Sequence, residues 1–365
     1  MALLLTINSN ESSIYRKLAD HLDRLPGGFA PSETGAEIRL LKGLFTEEEA
    51  QLAVHLTLNK ETPETIGKRA KISSEIAEKR LEKMSQKGLI FSFQPEKGKI
   101  LYQAAPWVIG IYEFQVNRLN KEFLKNFDDY YSSRVKRSRP ETIPQMRTIP
   151  INQSIEMGLD ALPYEQVQEL VEAHNQFAVA PCICRRHAKM NGRGCDALEE
   201  SCLIFGEFAD YYVRTGKARS IDKAEVWRIL EKANEDNLVL NPTNSKLISA
   251  ICCCCGDCCG ILNGLKHNPN PSEAASSSFI ASFDQDLCIN CGVCLERCQM
   301  NALSPGDYGV EFDSNRCIGC GLCTSTCPTN ALTLKRKPEN KIKEIPDTMY
   351  ETWYTIAKKQ AAINE

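Results

Sequence analysis

Residues 283–303 read FDQDLCINCGVCLERCQMNAL, and residues 312–332 read FDSNRCIGCGLCTSTCPTNAL. Phe283, Asp284, Asn301, Ala302 and Leu303 recur 29 positions later as Phe312, Asp313, Asn330, Ala331 and Leu332, and all four cysteines recur with them. The chain therefore carries an internal repeat. Each copy spaces its cysteines as C-x2-C-x2-C-x3-C: Cys288, Cys291, Cys294 and Cys298, then Cys317, Cys320, Cys323 and Cys327.

The repeat accounts for eight of 18 cysteines, and all 18 lie between Cys182 and Cys327 of a 365-residue chain. A disulfide framework suits a short secreted chain. The start, Met1 to Ser13, lacks the charged region, long apolar stretch and cleavage site of a signal peptide. A reducing, cytoplasmic location is the expectation, and clustered cysteines there point to metal. The remaining composition is ordinary: 42% hydrophobic, 25% charged, net charge −3. That balance excludes a generally basic nucleic-acid coat. No apolar run is long enough to span a membrane.

Residues 279–334 resemble a bacterial-type ferredoxin module that carries two [4Fe–4S] clusters. Three thiolates two residues apart can wrap one face of a cubane, while the fourth ligates the other cluster. The resemblance therefore implies crossed ligation. Cluster one would take Cys288, Cys291, Cys294 and Cys327; cluster two would take Cys317, Cys320, Cys323 and Cys298. Gly292 and Gly321 would permit the tight turns and close backbone approach that cluster sulfurs need. One position departs from the pattern. Pro328 follows the last cysteine of the second copy, but Gln299 stands there in the first. Four-cysteine sites also bind zinc, although zinc motifs favour paired C-x2-C knuckles over a triple run. The module carries six carboxylates against two arginines, Arg297 and Arg316. An acidic face of that kind suits fast encounter with a redox partner that has a basic docking face.

Ten cysteines lie upstream in two blocks. Cys182, Cys184, Cys195 and Cys202 form the first; Cys252, Cys253, Cys254, Cys255, Cys258 and Cys259 form the second. Adjacent strand residues face opposite ways, so one ion cannot easily use the whole run. Turns near Gly256 and Gly260 could gather alternate ones. Either block could supply four thiolates, or the two could share a site. We expect a further metal centre here, an additional iron–sulfur cluster before zinc, with a buried cysteine-rich strand or a thiol redox pair as the plainer alternative. Arg185 and Arg186 could lower a thiol pKa or contact an anion. His187 is a weak ligand candidate. His174 reads as a packed histidine.

The overall expectation is an α+β multidomain chain. Residues 1–43 read as an N-terminal helix and loop. Residues 44–131 read as a winged-helix-like unit plus a long helix from Trp107 to Tyr131. Residues 132–270 form a Cys-rich α/β middle domain with an amphipathic helix over Pro163–Phe177. The ferredoxin module spans 279–334, and 335–365 form a tail ending in a helix. Three helices followed by a hairpin over 44–105 resemble the winged-helix fold, a DNA-binding suspect. Those residues hold 10 Lys+Arg and 9 Asp+Glu, too even a balance to displace phosphate counterions. This argues against DNA as a partner. The basic run at Arg134, Lys136, Arg137 and Arg139 reads as a solvated loop.

The whole chain resembles iron–sulfur binding proteins of anaerobes that join a Cys-rich middle to a dicluster module. The leading expectation is an electron-transfer protein of the polyferredoxin type, a subunit or donor of an anaerobic oxidoreductase system. The alternatives are a redox-sensing winged-helix regulator and an oxidoreductase with its catalytic centre among the middle cysteines. No glycine-rich nucleotide fingerprint is visible.

Overall fold

The computed structural model describes residues 11–135, 143–151, 154, 161–307 and 309–361. Lys136, Arg137 and Arg139 of the basic run lie outside them. The chain forms two compact units.

The first unit comprises Met1–Thr142, Arg214–Lys217 and Trp353–Glu365. Its helices are α1 (Glu11–Asp23), α2 (Ala36–Leu44), α3 (Glu47–Ala53), α4 (Pro63–Ala70) and α5 (Ser74–Gln86). A capping box starts α3, with Thr46 and Glu49 each satisfying the other's backbone N–H. Thr62 caps α4, which has proline in its first turn, and Ser73 caps α5. An antiparallel hairpin follows, β1 (Ile90–Phe93) against β2 (Leu101–Ala104). The single long helix expected over Trp107–Tyr131 is not formed. Val108, Ile109 and Gly110 take non-helical backbone angles. The helix proper, α6 (Lys121–Ser133), starts afresh where the Asn120 side chain accepts from the N–H of Phe123. The aromatic spacing there serves packing instead. Phe29 lies 4.7 Å from Trp107 and 4.9 Å from Tyr130, ring to ring.

The second unit comprises Ile143–Val213 and Ala218–Thr352, so the upstream cysteines and the repeat share one body. The helix expected over Pro163–Phe177 shrinks to α7 (Val167–Glu172), because Phe177 already belongs to a strand. Five strands, β3 (Phe177–Pro181), β4 (Glu200–Phe205), β5 (Arg219–Ile221), β6 (Val239–Pro242) and β7 (Ala250–Cys254), form one sheet in the order β5-β3-β4-β7-β6. Every pairing is antiparallel, so the α/β middle expected from sequence is an α+β arrangement. Helices α8 (Ile183–Met190), α9 (Gly206–Arg214), α10 (Lys223–Glu235), α11 (Gly260–Lys266) and α12 (Pro271–Ala274) accompany it. Asp222 caps α10 through the N–H of Glu225.

The repeat forms two short antiparallel ladders around helix α13 (Val293–Arg297). Strand β8 (Phe279–Phe283) pairs with β11 (Leu332–Arg336), and β9 (Leu303–Gly306) pairs with β10 (Gly309–Phe312). Met300, Ile318 and Leu322 of the repeat belong to the same apolar core as Leu203, Val239 and Ile251 of the large sheet. Helix α14 (Met349–Ala361) ends the described chain.

Candidate metal centres

In the repeat, the loops carry the thiols and the backbone is built around them. Asn301 and Asn330 adopt left-handed angles of 55° and 56°, and Gly292 and Gly321 both sit at 76°. The two copies therefore share conformation as well as sequence. Cys288, Cys291, Cys294 and Cys327 line one cavity of about 330 Å³, open volume at its mouth included, together with Pro328 and Val310. Burial, then the nearness of Cys288, Cys291 and Cys327, raises the Cys294 thiol. The other four are likewise neighbours. Burial pushes Cys320 up to about 12, with Cys317 and Cys298 adding to it. Burial raises Cys323 too, followed by Cys320, Cys317, Cys298 and then Cys294.

Backbone N–H groups point at these sulfurs. Ala302 donates to Cys298 Sγ at 3.2 Å, Ala281 to Cys317 Sγ at 3.3 Å and Leu332 to Cys327 Sγ at 3.5 Å. Such bonds favour a thiolate and a metal-bound sulfur. Cavity, thiol set and donors all fit an iron–sulfur cluster. The two sites differ in cover. Cys291 is exposed, with Leu287 and Ile289 exposed on the same loop and Val293 exposed at the start of α13. Around Cys320, Ile151 N–H donates to the Cys320 carbonyl at 3.2 Å and Ser154 Oγ to that of Gly321 at 2.8 Å.

The ten upstream cysteines divide into separate sets. Cys202 and Cys252 face each other across β4 and β7. From there, thiol contacts run Cys202–Cys252–Cys254–Cys259–Cys184–Cys182. Cys182 and Cys259 sit at the N-terminal ends of α8 and α11. Thiol–thiol hydrogen bonding first and burial second hold Cys182, Cys252 and Cys254 well above the usual thiol range. A metal entering there displaces protons.

On the other side of the run, Cys195, Cys255 and Cys258 bring their sulfurs within 4.8 Å of one another. Cys195 Sγ is 3.6 Å from Cys255 Sγ and 3.7 Å from Cys258 Sγ. Burial pushes the Cys255 thiol up, but the Arg185 guanidinium and the Cys258 N–H outweigh it and bring it below the ordinary range. Cys258 goes up to about 12, by burial first and then the charge of Cys255. Cys253 is buried beside Arg185, which takes its carbonyl at 2.8 Å.

Arg185 is fully buried. It donates also to Leu198 O at 2.8 Å and Ser201 Oγ at 2.5 Å, and its Nε has no partner. Arg186 pairs instead with Glu199 at 2.7 Å. Of the two histidines, His174 packs its ring 5.1 Å from Phe205. His187 belongs to no metal-binding set of three side chains among the described residues.

One signal present in the sequence was missed there, and another was noted without its partner. Cys255-Gly-Asp-Cys258 is a C-x2-C knuckle hidden in the cysteine run. Gln299, the departure in the repeat, accepts the Gly256 N–H of that knuckle at 2.6 Å through Oε1. Lys266 Nζ holds the Gly256 carbonyl at 2.9 Å.

Residues 281–334 match the family described as 4Fe-4S dicluster domain. No curated protein and no solved structure matches the chain. The C-terminal match and the many cysteines support an iron–sulfur, electron-transfer role. No helix among the described residues is long and apolar enough to cross a membrane.

Proposed function

We propose that the protein is a polyferredoxin-type electron carrier, a subunit or donor of an anaerobic oxidoreductase system in a reducing cytoplasm. Cys288, Cys291, Cys294 and Cys327 hold one [4Fe–4S] cluster, and Cys317, Cys320, Cys323 and Cys298 hold the other. The observation that carries this is the cavity lined by Cys327 together with the first three cysteines of the other copy. Clusters of this kind pass single electrons, with potentials set by their surroundings. Cluster one, with exposed Cys291 on its rim, exchanges electrons with the partner. Cys323 neighbours Cys294, so electrons continue to cluster two.

The partner carries a basic face. Asp284, Asp286, Glu296, Asp307, Glu311 and Asp313 are all exposed. Arg297 and Arg316 spend their guanidinium groups on carbonyls inside, Leu322 O at 3.0 Å and Met300 O at 3.1 Å among them. A further iron–sulfur centre uses four of the six contacting thiols Cys182, Cys184, Cys202, Cys252, Cys254 and Cys259, close to the core that Met300 and Ile318 enter.

Residues 44–105 are read as a winged-helix-like docking unit rather than a DNA reader. Arg80 pairs with Glu48 at 3.2 Å and Lys87 with Glu49 at 2.7 Å. Exposed Lys79 and Lys83 share α5 with exposed Glu75 and Glu78, which leaves little net charge for phosphates.

Iron and sulfide analysis of oxygen-free protein tests the reading. More than eight irons per chain are expected, the complement of two cubanes, and Cys254→Ser should remove only the excess. Eight irons would end the proposal of a further iron–sulfur centre. Fewer than eight, with zinc in the repeat, would end the dicluster reading itself.

A further inference from the structure

The thiols of the repeat and those of the knuckle are spaced for different guests. In a cubane each thiolate holds a different iron corner, so the sulfurs stand apart. Among the described residues, no three cysteines of the repeat come within 4.8 Å of one another; Cys195, Cys255 and Cys258 do. A single tetrahedral ion with metal–sulfur bonds near 2.3 Å sets its sulfurs about 3.8 Å apart. The 3.6 and 3.7 Å separations of Cys195 Sγ from Cys255 and Cys258 fall there.

A second observation points the same way. The buried Arg185 charge has no carboxylate ion pair among the described residues; its Nε has no hydrogen-bond partner, and the guanidinium turns to the Cys195 thiol. A buried cation without a counter-charge is costly. The groups beside it are the thiols of Cys182, Cys255 and Cys195. An anionic metal–thiolate centre supplies that counter-charge. A chelating loop must also hold its shape: Gln299 Oε1 accepts the Gly256 N–H and Lys266 Nζ donates to the Gly256 carbonyl, which fixes two successive peptide units of the loop.

We propose that Cys195, Cys255 and Cys258 bind one zinc ion as a mononuclear three-thiolate site whose fourth vertex is open to an exogenous ligand. Thiolates select zinc among common divalent ions. No fourth His, Cys, Asp or Glu among the described residues joins the set. Three protein ligands with a vacant vertex is the arrangement of reactive rather than purely structural zinc. Cys195 and Cys258 are partly exposed, so solvent and small solutes reach the vertex. The site is separate from the iron centres proposed above, and zinc and iron contents test the two readings independently.

The test uses the full chain produced without oxygen in medium holding both iron and zinc. One zinc per chain is expected in the unaltered protein. Cys195→Ser and Cys258→Ser should each lose it while iron content stays the same. Cobalt(II) exchanged for zinc should give the intense visible bands of a tetrahedral thiolate site, and added azide should shift them. Absence of both zinc and cobalt binding would overturn the proposal without reference to any variant. So would zinc that survives both substitutions, or iron that falls in its place. Cobalt bands that azide leaves unmoved would overturn the open vertex.

Discussion

The two cysteine-rich regions of the second unit gather their thiols by opposite means. In the repeat, the thiols follow one another at fixed short spacing, and the loop itself is the binding site. In the middle region, the thiols come from two strands, two helix ends and two loops, and only the fold gathers them. Cys195 meets Cys255 across 60 positions of chain. A local site needs turns of the right hand; a tertiary site needs an intact core. Disturbing one should leave the other standing.

The largest separation is expected from Cys327→Ser. Its sulfur lines the cavity of the first copy although its position belongs to the second. Paramagnetic resonance of the reduced protein should show the signal of cluster one lost and that of cluster two kept. Loss confined to cluster two would mean uncrossed ligation and would break the comparison at its root.

A smaller effect distinguishes the two copies. Gly292 and Gly321 occupy equivalent positions with the same φ of 76°. A side chain in the left-handed region costs about 1–2 kcal/mol. An added Cβ at Gly292 meets nothing closer than Leu295 Cδ1 at 4.0 Å, whereas at Gly321 it would stand 2.5 Å from Ser154 Oγ. Gly292→Ala should therefore lower the unfolding temperature by only the backbone cost. Gly321→Ala should lower it further and loosen cluster two, seen as faster bleaching in air. Equal effects would mean that Ser154 does not cover the second cysteine set.

This contrast also explains what could be read from the sequence. The repeat was legible because its cysteines are neighbours in sequence: spacing alone separates C-x2-C-x2-C-x3-C from a zinc knuckle. The alternation within Cys252–Cys254 was legible for the same reason, since a strand must turn Cys252 and Cys254 away from Cys253. The partners of those thiols were not. Nothing near Cys195 names Cys258, and the knuckle Cys255-Gly-Asp-Cys258 is masked by cysteines on both sides. Periodicity misled twice. The aromatic spacing from Trp107 onward looked helical, yet Val108–Gly110 break it and Asn120 begins the helix anew. Val167, Leu170 and Val171 do lie on a helix, but the apolar run continues into a strand at Phe177.

The finest test concerns the one residue that interrupts the repeat. Gln299 stands where the second copy has Pro328. Its side-chain oxygen accepts the Gly256 N–H at 2.6 Å, between the two cysteines of the knuckle. A proline there would match the second copy but could accept no such bond from its side chain. Outer-shell hydrogen bonds that hold a ligand loop are worth roughly 10–100-fold in metal affinity. Gln299→Pro should therefore leave iron content and the signal of cluster two unchanged, because the repeat itself tolerates proline after its fourth cysteine. The same change should weaken zinc retention about tenfold, at the lower end of that range, measured by competition with a chromogenic chelator. Gln299→Glu keeps the acceptor oxygen and should retain zinc like the unaltered chain. If Gln299→Pro instead strips iron from cluster two and spares zinc, the residue serves the repeat, and its bond to Gly256 is packing alone.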